Sequence, residues 1–205
     1  TGNLLARNLG LPLDLDEAAA VALTGRERAV DVLDLGLGGS TAVATVIAGI
    51  GLDSVLIDAP EQLKAVLGPM AYGLQSVRAL AHPRMRVGVS VDGAAPVWRW
   101  ARCVLVVNVG GLIAGLDVAP EAEPDDGFLD VVVLTLANPR DAVVAASSLV
   151  RRHRHDLPGR YHLRGRRATI VARGDFGRQI DGDVIDDGHV LDARVRAGAL
   201  VVRVR

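Results

Sequence analysis

Two carboxylates flank a single glycine at Asp181-Gly182-Asp183, between strand-like runs of a 205-residue sequence. A tight turn here would aim Asp183 outward while Ile180, Val184 and Ile185 anchor it. An outward carboxylate suits a general base, whereas Asp-Gly is equally an ordinary hairpin loop, so both roles stay open. A second acidic turn, Pro124-Asp125-Asp126-Gly127-Phe128-Leu129-Asp130, precedes an apolar run. Asp126 could hold a hard cation together with backbone carbonyls, or simply face solvent. The run Arg151-Arg152-His153-Arg154-His155 would place cations at a helix C-terminus, where the dipole favours them, or offer a patch for lipid phosphates. Its histidines lack the companion ligands of a zinc site. Gly49-Ile50-Gly51 neither follows a parallel strand nor opens a helix, and so is not a dinucleotide fingerprint.

These residues need elements to hold them. Thr1 or Asn3 can cap a helix over residues 4–9 that ends at Gly10 and Pro12, and such an N-terminus can receive a phosphate. Residues 14–23 predict a second helix, with Asp14, Asp16 and Glu17 at its positive end and Gly25 as its stop. Residues 29–35 and 41–47 are β-branched and glycine-punctuated, as paired strands are. Residues 61–81 carry an apolar helical stripe, interrupted by Pro69, that serves packing. Residues 84–91 alternate strictly; Asp92-Gly93 then turns the chain into a strand over 97–109, where Trp98 and Trp100 share a face, as packing residues or as a lipid contact. A strand over 131–136, an Asn138-capped helix over 139–152 and strands over 167–173, 179–181, 189–195 and 200–204 complete the pattern. Gly174, Gly182, Gly188 and Gly198 act as turn signals.

Half of the residues are hydrophobic and the formal net charge is -1, which fits a folded globular chain with no overall electrostatic attraction to nucleic acid. The single cysteine, Cys103, sits in an apolar run, is expected to be buried, and fits a reducing cytoplasm. The apolar runs break before the ~20 residues that a helical bilayer crossing needs.

Taken in order, four segments resemble the diacylglycerol kinase family of soluble bacterial lipid kinases, which includes sphingosine kinase relatives. They are Thr1-Gly2-Asn3-Leu4-Leu5-Ala6-Arg7, Lys64-Ala65-Val66-Leu67-Gly68-Pro69-Met70-Ala71-Tyr72, residues 120–130 and Asp181-Gly182-Asp183. The resemblance covers nearly the whole chain and begins inside the family's Gly-Thr-x-Asn motif. It implies an α+β chain, mainly an antiparallel β-sandwich or barrel-like domain with a few helices, forming the C-terminal part of a two-domain kinase. Residues 1–28 would be a helical remnant of the nucleotide-binding domain and residues 29–205 the β-rich domain.

By the same resemblance, Thr1 contacts a nucleotide phosphate, Asp126 with the backbone carbonyls of Glu123 and Phe128 holds Mg²⁺, and Asp183 accepts the proton of a lipid hydroxyl. Asn3, Asp181 and Gly182 support them, Asp181 by orienting the turn or binding metal. ATP would be the co-substrate. The implied partners are a lipid at the inner face of the cell membrane, an N-terminal nucleotide-binding domain and a second copy of the chain; nucleic acid is not among them.

The sequence departs from the family pattern in three places. Asp183 stands where Glu is usual, Leu4 stands where many relatives carry aspartate, and no Gly-Gly-Asp-Gly-Thr phosphate loop occurs in the 205 residues. The chain alone is therefore expected to be inactive. The alternatives are a non-catalytic lipid-binding or regulatory domain of the same fold, or a protein-interaction module using the Trp98/Trp100 face or the basic patch at residues 151–155.

Overall fold

The computed structural model describes residues 3–51, 83–110, 119–135, 141 and 159–205. Thr1, the expected helix over 61–81, all but Asp141 of the helix expected over 139–152, and the basic run 151–155 lie outside the described residues.

Two short helices lead the chain, α1 (Leu4–Asn8) and α2 (Leu15–Thr24). Asn3, one of the two candidate caps, does not cap α1 with its side chain, and its backbone is left-handed (φ 50°) rather than in the extended region usual for a capping residue. Asp14 does cap α2, accepting from the N–H groups of Asp16 and Glu17. Gly25 stops α2, but for want of room rather than for a left-handed turn: its φ is -67°, and a Cβ there would lie 2.5 Å from the carbonyl oxygens of both Val21 and Val204.

Among the described residues ten strands follow: β1 (Arg26–Gly36), β2 (Thr41–Ala44), β3 (Ile47–Gly51), β4 (Met85–Val91), β5 (Val97–Ala101), β6 (Cys103–Val107), β7 (Leu129–Leu134), β8 (Arg160–Gly165), β9 (Arg167–Ile180) and β10 (Asp183–Val204). Every ladder among them is antiparallel, in the order β2-β1-β10-β9-β3-β6-β7-β8. The sheet forks at β9, whose first half pairs with β4 and whose last three residues pair with β3. The fork folds β4 over β6 and β7, and the main core fills the gap with Val87, Val89, Val104, Val106, Val131 and Ile170. Both faces of β6 and β7 are buried, because Leu4 and Leu5 of α1 pack against the far side around Ile47, Leu105 and Val107.

Three expectations for the strands change. The strand expected over 41–47 ends as β2 at Ala44, and Ile47 opens β3, which pairs with β6 and β9 instead of β1. The strand expected over 97–109 is two, broken at Arg102: β5 pairs with β4, while β6 joins β3 and β7. The separate C-terminal strands are two long ones, since Gly174, Gly188 and Gly198 bend strands instead of ending them. Gly188 sits at register shifts between β9 and β10, and Gly174 and Gly198 take φ of 107° and 60° within strands. Of the four glycines, Gly182 alone makes a hairpin.

Candidate functional site

Asp181 and Gly182 form the two-residue loop joining β9 to β10, closed by the Ile180–Asp183 pair, with φ of 49° and 96°. Positive φ at both central positions is the hairpin geometry that matches strand twist, and Asp-Gly accepts it with little strain. Gln179 stiffens the loop by accepting the Gly182 N–H.

The Asp181 carboxylate points across to the segment joining β2 to β3. One oxygen accepts from the backbone N–H and hydroxyl of Thr45, both at 2.8 Å, and the other from the N–H groups of Val46 and Ile47 at 2.8 and 2.9 Å. These four bonds fill its acceptor sites, so the orienting role suits Asp181 better than metal binding. Asp183 is the opposite case. It is exposed at the first position of β10, and its carboxylate engages no partner among the described residues.

The second acidic turn is clamped to β1. Asp31 is 2 % exposed and accepts the Gly127 and Gly198 N–H groups on separate oxygens at 2.7 Å, while its own N–H donates to Pro124. Arg28 pairs with Asp125. Asp126 accepts the Phe128 N–H on one oxygen and the Arg164 guanidinium on the other. Asn108, fully buried, donates to the carbonyls of Asp31 and Thr45 at 2.9 Å, so one chain of hydrogen bonds links the Gly127 amide, Asp31, Asn108, Thr45 and Asp181. The two acidic turns are thus parts of one connected frame.

Asp31, Asn108 and Arg164 were not singled out from sequence. The signal for Asp31 was a charge inside the run Ala29-Val30-Asp31-Val32-Leu33, which here marks the register shift between β1 and β10. For Asn108 it was an amide ending the strand run Val104-Leu105-Val106-Val107.

Edge strand β8 meets the acidic turn through alternate residues, pairing Arg160 with Glu121, His162 with Asp130 and Arg164 with Asp126. Burial raises the Asp130 carboxyl above its ordinary value of 3.8, against the opposing pull of His162 and Arg164. A raised folded value means that the native state holds this proton to higher pH than the unfolded chain. The group's stabilisation is therefore full below 3.8 and is lost as pH rises through the folded value. In thermal melts from about pH 3 to pH 6, the stability difference should move in favour of Asp130→Asn as pH rises. A pH-independent difference would show that burial does not set this titration.

The family model for the YegS C-terminal NAD kinase beta sandwich-like domain matches residues 44–204. The chain belongs to this family. Among relatives of this YegS-type chain, the diacylglycerol kinase of Bacillus subtilis is 26% identical over 197 residues, covering 91% of the chain and 63% of the relative. The diacylglycerol kinase of Staphylococcus saprophyticus is 24% identical over 185 residues, 89% of the chain and 59% of the relative. The YegS-type chain thus spans about six tenths of the length of these curated relatives.

A crystal structure of a diacylglycerol kinase from Bacillus anthracis superposes with a TM-score of 0.72 at 20% identity, over 100% of the chain and 66% of the other. Yeast NADH kinase complexed with NADH superposes at 0.54 and 10% identity, over 92% and 48%. Both likenesses concern the fold. Among the described residues, no helix is long and apolar enough to cross a membrane.

Proposed function

We propose that this YegS-family chain is the lipid-side part of an ATP-dependent kinase that phosphorylates the hydroxyl of diacylglycerol or a related lipid. The observation that carries the proposal is the contrast within one hairpin: Asp181 is bound by four hydrogen bonds, whereas Asp183, two residues on, is exposed and unpaired among the described residues. A base must be held in place and yet be open to the acceptor hydroxyl, and this hairpin meets both needs. As the lipid hydroxyl oxygen attacks the γ-phosphorus and the bond to the ADP leaving group breaks, Asp183 takes the hydroxyl proton. Thr1 contacts nucleotide phosphate, with Asn3 and Gly182 supporting the turns around them. The helical segment of residues 1–28 belongs with the nucleotide-binding part and residues 29–205 with the β-rich part, whose sheet also takes in residues 26–28 at the start of β1.

The residues around Asp126 suit Mg²⁺ by donor type. Among the described residues no cluster of three or more His, Cys, Asp or Glu side chains could hold a metal. One carboxylate with backbone carbonyls and water is the kind of hard-oxygen set that Mg²⁺ accepts. Asp126 keeps a free lone pair on each oxygen, and Arg164 is the cation with which the metal would share that carboxylate. Asp126 and the carbonyls of Glu123 and Phe128 would hold the ion, which supplies charge neutralisation.

A phosphoryl-transfer site must position nucleotide, metal and acceptor together. The protein joining this chain to a nucleotide-binding segment should therefore move label from [γ-³²P]ATP to diacylglycerol in mixed micelles with Mg²⁺. The 205-residue chain alone should not. Absence of labelled lipid from the complete protein would reject the kinase and favour a lipid-binding domain of the same fold at the cytoplasmic membrane face.

A further inference from the structure

The two tryptophans of the chain stand side by side on an outward sheet face that the proposed chemistry does not use. In β4, Val87 and Val89 enter the core, so Arg86 and Gly88 face outward. Register sets Trp100 beside Arg86 and Trp98 beside Gly88, and the Trp98 indole lies over that glycine, where a Cβ would come within 2.9 Å of it. The indoles remain 40 % and 52 % exposed. Across β4, Arg173 of β9 reaches over Trp98, 5.1 Å from the ring centroid.

The surroundings are one-sided in charge. Residues 84–102 hold four arginines (Arg84, Arg86, Arg99 and Arg102) against one acid, Asp92, whose carboxylate is already engaged by the Arg166 and Arg167 amides. Arg84, Arg86 and Arg173 enter no ion pair among the described residues. The whole chain carries -1, so this local excess is not a reflection of general basicity.

Packing on Gly88 accounts for the inner part of Trp98, but not for the 40 % and 52 % of the two indoles left facing solvent. Amphipathic rings flanked by unpaired guanidinium groups match a membrane–water interface, where indoles sit at headgroup level and arginines meet lipid phosphate. We propose that the outward face of β4, β5 and β9 docks on an anionic lipid membrane, with Trp98 and Trp100 in the headgroup layer and Arg86 and Arg173 on phosphates. The lipid-kinase assignment above supplies the reason for meeting a membrane, but the docking test needs neither ATP nor turnover.

Because Trp98 and Trp100 are the only tryptophans, intrinsic emission reports on this face alone. The chain should be titrated at low salt with vesicles of equal phosphatidylglycerol and phosphatidylcholine, with sedimentation as a second readout. Emission should shift to the blue and be quenched by brominated acyl chains, and salt should reverse both. Each arginine near an anionic surface contributes about 1 kcal/mol, about 5-fold in binding, so Arg86→Gln with Arg173→Gln should weaken it ~25-fold. Both sites are exposed, so the fold is retained.

Sedimentation without a change in emission would mean that another face binds, and would overturn the proposal, as would the absence of binding. A blue shift that follows protein concentration without vesicles would assign the face to a second copy and overturn it too. None of these outcomes touches kinase activity measured in micelles, so the two proposals fail separately.

Discussion

Replacing Asp183 with asparagine in the complete kinase is expected to lower kcat by about 10²- to 10⁴-fold, the usual contribution of general-base catalysis. Stability should stay within about 0.5 kcal/mol of the parent, because the side chain is exposed and bonds to nothing described. This pairing of a large kinetic effect with a negligible structural one distinguishes a base from a hairpin residue. Asp183→Glu lengthens the side chain by one methylene, to the residue usual in the Asp-Gly-Glu pattern, and should keep activity within a few-fold of the parent or improve it. Steady-state phosphorylation of diacylglycerol in micelles, with urea unfolding of each variant, measures both quantities. If Asp183→Asn retained activity within a few-fold of the parent, Asp183 would not be the base.

Why was this hairpin legible when much of its frame was not? Asp-Gly between apolar runs encodes its turn locally: the two positive φ values need only that dipeptide and the strand twist. The strictly alternating β4 was equally readable: Val87 and Val89 lie in the core and Val91 packs against it. Gly188 and Gly198 were misread as turns because a glycine that bends a strand and one that ends it look alike in sequence. What decides is the partner strand, β9 for the first and β1 for the second. The same holds for Asp31, whose two amide donors come from residues 96 and 167 positions away. Arg164 was hidden for another reason, since β8 reads Arg-Tyr-His-Leu-Arg-Gly and resembles a loop until its alternate residues meet Glu121, Asp130 and Asp126. Local turns and faces were therefore legible, while the long-range clamps that fix the two acidic turns relative to each other were not.

Those clamps lead to the second large effect, at Asp181. Asp181→Asn keeps a residue tolerant of the left-handed backbone (φ 49°) but sets an NH₂ group where the carboxylate accepted two of its four bonds. Bonds to a charged acceptor are worth about 1.5–3 kcal/mol each, and removal leaves partly buried donors unpaired, so a loss of about 3–5 kcal/mol is expected once non-additivity is allowed for. For a chain of this size that corresponds to a fall in Tm of roughly 10 °C. Asp181→Ala should cost at least as much, since alanine adds about 1–2 kcal/mol of left-handed strain. Urea unfolding of the 205-residue chain measures the loss without any need for turnover. In the complete kinase, at a temperature where Asp181→Asn is still folded, kcat should also fall, because Asp183 would be carried on a hairpin no longer tied to Thr45, Val46 and Ile47. A stability change below about 1 kcal/mol would mean that the β2–β3 segment is held by other contacts, and the contrast between a fixed Asp181 and a free Asp183 would lose its mechanical basis.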